Sequence, residues 1–119
     1  MPEISIIKYK DKEILYFNHN GLRDKELLEN IKRANKKIKE YTGKEALTLA
    51  NFTNAITSNE VMDYLKSEET VAVNKKVNKA AVVGITGIKK IFLNVFNSFT
   101  DNKTKAFDTE EEAKEYLVK

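Results

Sequence analysis

The apolar and polar residues of this chain alternate with two different periods, and the change of period separates strands from helices. Glu3 to Tyr9 and Lys12 to Asn18 alternate with a period of two around a short polar stretch, which predicts an antiparallel hairpin. Between Leu22 and Tyr41 the apolar residues recur every three or four positions, which predicts a helix with one apolar face. The turn-forming residues Asn18 to Gly21 predict the loop before that helix.

The rest of the chain predicts three more strands that alternate with three more helices. The strands are Glu45 to Ala50, Ala80 to Val83, and Lys103 to Phe107, the last an edge strand after a turn at Asp101 and Asn102. The first of these helices begins at a capping box, with Thr57 as N-cap and Glu60 as its acidic partner. The second is capped by Thr86 and ends near Phe99. The third begins at another capping box within Asp108 to Glu111. The order β-β-α-β-α-β-α-β-α predicts an α/β fold with a mixed, largely parallel sheet and helices packed against it.

The composition fits one folded domain and excludes several classes of function. The chain has 119 residues, of which 41% are hydrophobic and 33% charged, and its net charge is only +3, so we predict no nucleic-acid partner. The absence of cysteine removes disulfides and zinc–thiolate sites. Neither a signal peptide nor an apolar run of about 18 residues is found, which predicts a cytoplasmic protein without a membrane span.

Few residues are suited to catalysis or metal binding. His19 is the only histidine and lies in the polar stretch before Gly21, which predicts an exposed turn residue and not a base or a ligand. Basic residues on the first helix alternate with acidic ones, which favours a solvated face over a phosphate-binding patch. We therefore predict no enzyme activity, no cofactor and no metal site.

A glycine-containing loop joins the Ala80 to Val83 strand to the next helix. Free N–H groups and the helix dipole attract anions at such a position, and nearby lysines add positive charge. The candidate ligand or anion loop consists of Gly84, Thr86, Gly87, Lys89 and Lys90. Its spacing fits neither a Walker motif nor the dinucleotide-binding fingerprint. The alternative is that both glycines serve a tight turn and close packing.

The helix after this loop is apolar on more than one side. Phe92, Phe96 and Phe99 recur at helical spacing, and Leu93 and Val95 add further apolar surface. Such a helix is either enclosed by the domain or leaves an apolar groove for a partner, a second copy of the chain or a lipid tail. Homodimerisation through residues 86–99 is therefore one prediction.

The element order and the residues Lys79 to Lys119 resemble the SpoIIAA-like branch of the STAS superfamily, also described as STAS/SEC14-like. The resemblance rests on an apolar strand that ends in Val-Gly, on a helix start that carries Gly87 and the Lys89-Lys90 pair, and on the closing strand-to-helix element KAFDTEEEA. It implies a compact, non-enzymatic domain that binds a protein partner or a small ligand.

In phosphorylated members of that family a Ser or Thr lies at the start of the helix after the third strand. The resemblance thus implies Ser58, with Thr57 beside it, as a possible phosphoacceptor, and the loop Phe52 to Ser58 with the following helix as a partner surface. The alternative is that Thr57 and Ser58 only cap the helix.

Two functional hypotheses follow from the sequence. The first is a regulatory protein-interaction domain that resembles anti-sigma-factor antagonists. The second is a small-ligand domain of the SEC14-like type. In the second, an apolar cleft beside the Thr86 helix holds a lipid or acyl chain, and Gly84 to Gly87 face its polar head.

Overall fold

A computed structural model of the protein describes residues 3–100 and 104–119, which contain a five-stranded mixed sheet. The strands are β1 (Glu3–Tyr9), β2 (Lys12–Asn18), β3 (Leu47–Asn51), β4 (Lys79–Val83) and β5 (Lys105–Phe107). They lie side by side in chain order; β1 is antiparallel to β2, and every other neighbouring pair is parallel. The predicted α/β class, the largely parallel sheet and the edge position of the last strand are confirmed.

Helices cover both faces of the sheet. They are α1 (Asp24–Glu40), α2 (Asn59–Leu65), α3 (Glu68–Asn74), α4 (Ile88–Phe99) and α5 (Glu110–Val118). The helices α1, α3 and α4 lie over one face, which we call the crossover face, and α5 packs on the other. Within residues 3–100 and 104–119, no helix has both the length and the apolar character needed to cross a membrane.

Strand alternation divides the buried side chains between the two faces. On the α5 face, Ile14, Leu49 and Val83 pack against Leu117. On the crossover face, the strand residues Leu15, Phe17 and Ala80 pack against side chains of α1, of α3 and of the segment after α3, which are Ala34, Ile38, Val73 and Val77. The period of two in the sequence therefore corresponds to two separate apolar clusters.

One predicted helix is two helices in the structure. The helix expected to begin at Thr57 breaks at Ser67, whose backbone is extended with a ψ of 158°. The Ser67 hydroxyl accepts a hydrogen bond from Thr70 N at 3.3 Å and donates one to Tyr64 O at 2.5 Å, so it caps α3 and ties it to the end of α2. The element order therefore gains one helix.

The structure corrects three predicted N-caps by one position. Ser58, and not Thr57, caps α2 and accepts a hydrogen bond from Val61 N. Gly87, and not Thr86, is the N-cap of α4, and no side chain caps that helix. Thr109 caps α5 and pairs with Glu112, one residue beyond the predicted box. The predicted turn at Asp101 and Asn102 and the predicted strand start at Lys103 lie outside the described residues.

The loops after β2, β3 and β4 meet at one edge of the sheet, which we call the carboxyl edge. Parallel pairing continues past the strand ends, because His19 N donates to Asn51 O at 2.8 Å and Phe52 N donates to Val83 O at 2.9 Å. Gly84 follows directly, with a φ of +79°. A Cβ atom at Gly84 would lie 2.4 Å from Thr53 N, so the β3 loop approaches this glycine too closely for any side chain.

We predict that Gly84→Ala destabilises the protein more than Gly21→Ala does. Both glycines have a φ between +75° and +79°, but nothing lies within 4 Å of a Cβ built at Gly21. The left-handed backbone alone should cost about 1 to 2 kcal/mol in each variant. The contact with Thr53 should add about 1 to 3 kcal/mol in Gly84→Ala only. Urea unfolding of both variants measures the difference, and equal losses would contradict the close approach of the two loops.

Candidate functional site

An apolar cavity of about 140 Å³ lies between the crossover face of the sheet and the helices α1, α3 and α4. We call it the α4 cavity. It is partly open to solvent, and the strands, α1, the α3 region and α4 each contribute apolar lining. The side chains include Phe17, Ala50, Ala80, Val82, Ile31, Ala34, Ile38, Val73, Val77, Phe92, Leu93 and Phe96.

The helix α4 covers this cavity without burying any of its own residues. Its inward side chains Phe92, Leu93 and Phe96 are partly buried and face the cavity, while Ile88 and Ile91 are 64% and 61% exposed. The sequence left two alternatives for this helix, enclosure by the domain or an apolar groove. The structure shows the groove.

Polar contacts near its two ends hold α4 in place. Lys89 Nζ donates to Phe52 O at 3.0 Å at the N-terminal end. Near the other end, Asn97 Nδ2 donates to Thr104 O at 3.1 Å and Asn97 Oδ1 accepts from Thr104 N at 2.9 Å. Helices held mainly by such contacts open more readily than helices anchored by buried apolar side chains.

Lys89 is the only charged side chain among the described residues that line the α4 cavity. Burial lowers the pKa of its ammonium group. Within residues 3–100 and 104–119 no carboxylate lies within ion-pair distance of Lys89 Nζ, and its hydrogen bond goes to a neutral carbonyl. The site therefore holds a partly buried cation without a counter-ion in the described part of the chain.

His19 also lines the cavity, and it is only 2% exposed. This corrects the prediction of an exposed turn residue. The backbone of His19 continues the parallel pairing beyond β2, and its ring packs on the Phe52 ring with centroids 4.8 Å apart. Burial lowers the pKa of His19 from 6.5 to about 4, so the imidazole is neutral at neutral pH.

The hydrogen bonds around Asn30 fix the tautomer of His19. Arg33 can only donate, so the amide atom of Asn30 that it contacts at 3.0 Å is the oxygen. The Asn30 nitrogen then donates to Asn18 O at 3.2 Å and to His19 Nδ1 at 2.9 Å. Because Nδ1 accepts, the proton lies on Nε2. In the part of the chain that the structure describes, that N–H has no acceptor.

Two other polar side chains of the cavity lining, Asn35 and Thr70, are bonded to one another. Asn35 Nδ2 donates to Tyr64 OH at 2.9 Å and to Thr70 Oγ1 at 3.1 Å, and Tyr64 OH donates to Glu69. These bonds join α1 to α2 and α3 behind the cavity. Asn35 and Thr70 are therefore structural members of the lining.

The structure brings together only part of the predicted site. Thr57 and Lys89 line the α4 cavity, together with Ile85 from the glycine-containing loop. The other predicted residues do not line it: Ser58, Gly84, Thr86, Gly87 and Lys90. Lys90 and Thr86 are exposed, and Ser58 caps α2. The suggested roles in phosphorylation and anion binding stay predictions.

His19 and Asn30 were not predicted from the sequence as site residues. One signal was present, because Asn30 lies between Leu27 and Ile31 on the apolar face of α1. A buried amide needs hydrogen-bond partners, and such a residue indicates a second polar group inside the fold. Its identity could not be read from the sequence, because the partner lies on a different element.

We predict that His19 makes the protein less stable in mild acid. The folded pKa of about 4 lies below the ordinary value of 6.5, so unfolding takes up a proton between these values. This contribution is complete above the unfolded pKa and is lost as the pH falls towards the folded pKa, by about 3 kcal/mol in all. Urea unfolding between about pH 7 and pH 4.5 measures it.

The control for this prediction is His19→Asn, whose side chain keeps an acceptor beside Asn30 but does not titrate. Glu69 and Glu115 have lowered pKa values and also lose stabilisation in acid, but they do so equally in both proteins. The variant should therefore show a flatter dependence on pH. Parallel curves for the two proteins would contradict the buried neutral histidine.

Comparison with known proteins identifies the fold. No protein-family model matches the chain, and no curated protein matches it. Among solved structures, the chain is similar to an uncharacterised protein of the DUF3478 family from Shewanella loihica PV-4, whose crystal structure has a SpoIIAA-like fold. The TM-score is 0.72 and the identity 21%, and the match covers 98% of this chain and 93% of that one. The chain therefore has a SpoIIAA-like fold, as the resemblance implied.

Proposed function

We propose that this protein binds a small apolar ligand, such as a lipid or acyl chain, in the α4 cavity. This is the second of the two hypotheses that the sequence left open. The observation that supports it is the cavity itself, because a tightly packed interior beneath α4 would have left no room for such a ligand.

An apolar cavity of this size is costly where it is closed to solvent, and the cost of a closed void is the upper limit for the partly open α4 cavity. At about 24 cal/mol per Å³, a closed void of 140 Å³ would cost on the order of 3 kcal/mol of stability. Ala34, Ala50 and Ala80 all line it, and a larger side chain at any of them would reduce the empty volume. Small side chains at three such positions are expected where space is kept for a ligand.

The volume of the α4 cavity and the helix α4 that covers it suit an acyl chain. A closed apolar cavity of about 150 Å³ holds a molecule of the size of benzene. The α4 cavity is of similar volume and partly open, so a longer chain can extend out of it. The weakly anchored α4 is suited to move aside when a ligand enters, as lids do in other binding proteins.

We predict that 1-octanol stabilises the protein and that Ala50→Leu removes this effect. A ligand at about 100 times its Kd adds about 2.7 kcal/mol to the free energy of unfolding. The leucine should occupy the cavity, and the variant without ligand should be at least as stable as the original protein. Urea unfolding with and without 1-octanol measures both effects.

The matched control is Ala106→Leu, the same change at an exposed position of β5 that does not line the cavity. It should respond to 1-octanol as the original protein does. Native mass spectrometry of the purified protein adds a direct search for a bound molecule. No stabilisation of the original protein, or equal stabilisation of Ala50→Leu, would contradict the proposed function.

Protein binding is a second candidate, supported by exposed apolar side chains. Ile56 lies in the predicted partner loop and is 49% exposed, and Ile88, Ile91 and Phe99 are exposed on α4. Such residues are common at interfaces. If the chain self-associates through α4, sedimentation should show a concentration-dependent dimer that Ile91→Lys abolishes. A monomer at all concentrations would exclude the homodimer.

A further inference from the structure

Two polar side chains that line the α4 cavity, Lys89 and His19, lie together at the carboxyl edge. Lys89 and His19 both contact Phe52: Lys89 Nζ donates to its carbonyl at 3.0 Å, and the His19 ring packs on its ring. Ile38, Val73 and Val77 line other parts of the cavity and are apolar. The cavity thus has two donor side chains around Phe52, and elsewhere a mainly apolar lining in which Asn35 and Thr70 are bonded to one another. This arrangement suits an amphiphile.

Both groups at the polar end are donors. Lys89 carries a positive charge without a carboxylate partner among the described residues. His19 offers its Nε2–H, because the Asn30 amide occupies Nδ1 as a donor. The Nε2–H has no acceptor among the described residues, so an acceptor that enters the cavity gains a hydrogen bond there. The group that satisfies both donors is an acceptor with a negative charge.

We propose that His19 and Lys89 bind the carboxylate of an apolar carboxylic acid whose chain occupies the α4 cavity. This inference rests on the proposed function and specifies the class of ligand. The Nε2–H of His19 donates to one carboxylate oxygen, and the Lys89 ammonium donates to the same group and neutralises its charge. Asn30 acts as a positioning residue, since its amide holds the tautomer that donates.

A carboxylate fits this pair better than a more highly charged group does. One lysine and one neutral imidazole supply a single positive charge, which matches a monoanion. Two other polar side chains of the lining, Asn35 and Thr70, are bonded to one another and lie on α1 and α3. The site therefore distinguishes an acid from the corresponding alcohol mainly through Lys89 and His19.

The test compares octanoate with 1-octanol, which share a chain of equal length. At neutral pH the original protein should bind octanoate at least about ten-fold more tightly, the size of effect expected for one hydrogen bond to a charged group. Lys89→Met keeps the apolar stem and should remove most of this preference without changing the affinity for 1-octanol. His19→Asn should also reduce the preference. Isothermal titration calorimetry measures all of these affinities.

Lys90→Met is the matched control, because Lys90 is the next residue of the same helix but is exposed and does not line the cavity. It should keep the preference for octanoate. Equal binding of the two ligands would overturn the carboxylate site while leaving the apolar cavity as a binding site. Binding of neither would overturn both proposals. Equal losses in Lys89→Met and Lys90→Met would show a general surface-charge effect and contradict the site.

Discussion

The parallel pairing of β2, β3, β4 and β5 in chain order is the constraint on which the other features of this structure depend. Consecutive parallel connections have the same hand, so their helices accumulate on one face of the sheet. That face carries α1, α3 and α4, whereas α5 alone covers much of the other. The first two connections pack on strands of five to seven residues. The helix α4 connects β4 to β5, and β5 has only three residues.

This arrangement explains why a strongly apolar helix buries none of its residues. The strand beneath α4 offers small side chains, such as Ala80 and Val82, and the short edge strand adds little surface. The aromatic residues Phe92 and Phe96 consequently line a space without filling it. The cavity thus results from a large apolar helix above a narrow, small-residue part of the sheet.

The same topology gives the cavity its chemical polarity. Because three parallel strands end at one edge, the loops that follow them bring His19, Phe52 and Lys89 together there. A neutral buried imidazole and an ammonium group without a carboxylate partner in the described residues are unusual neighbours for an apolar space. They lie at the end of the cavity where the proposed carboxylate would bind.

The sequence predicted the elements well because they depend on local patterns. The alternation in the hairpin and the apolar face of α1 are periodicities that burial enforces directly, and the edge position of β5 followed from its length. The break at Ser67 was missed because only one side chain, the Ser67 hydroxyl, favours a new helix start over continuation of the same helix. The sequence Ser-Glu-Glu is nevertheless a helix-start pattern. The N-cap of α4 was missed because Gly87, with a φ of +58°, begins the helix through its backbone and not through a side chain.

The site was harder to predict because it depends on contacts between distant elements. Lys89 was included among the candidates, but no sequence pattern shows that it reaches Phe52 O, 37 residues away. His19 was placed on the surface because turn-forming residues surround it. Its burial follows from the β3 loop and α1, which enclose it in three dimensions. The resemblance to STAS domains predicted the fold. It left open whether the protein binds a protein partner or a small ligand.

Hydrogen exchange of the α4 amides tests most directly whether this helix is the movable cover of a ligand cavity. If α4 is such a cover, it should exchange much faster than α1 and β3 in the free protein. In addition, 1-octanol should slow exchange in α4 while leaving β3 unchanged. Protection of α4 equal to that of α1, with no response to the alcohol, would contradict this role of α4.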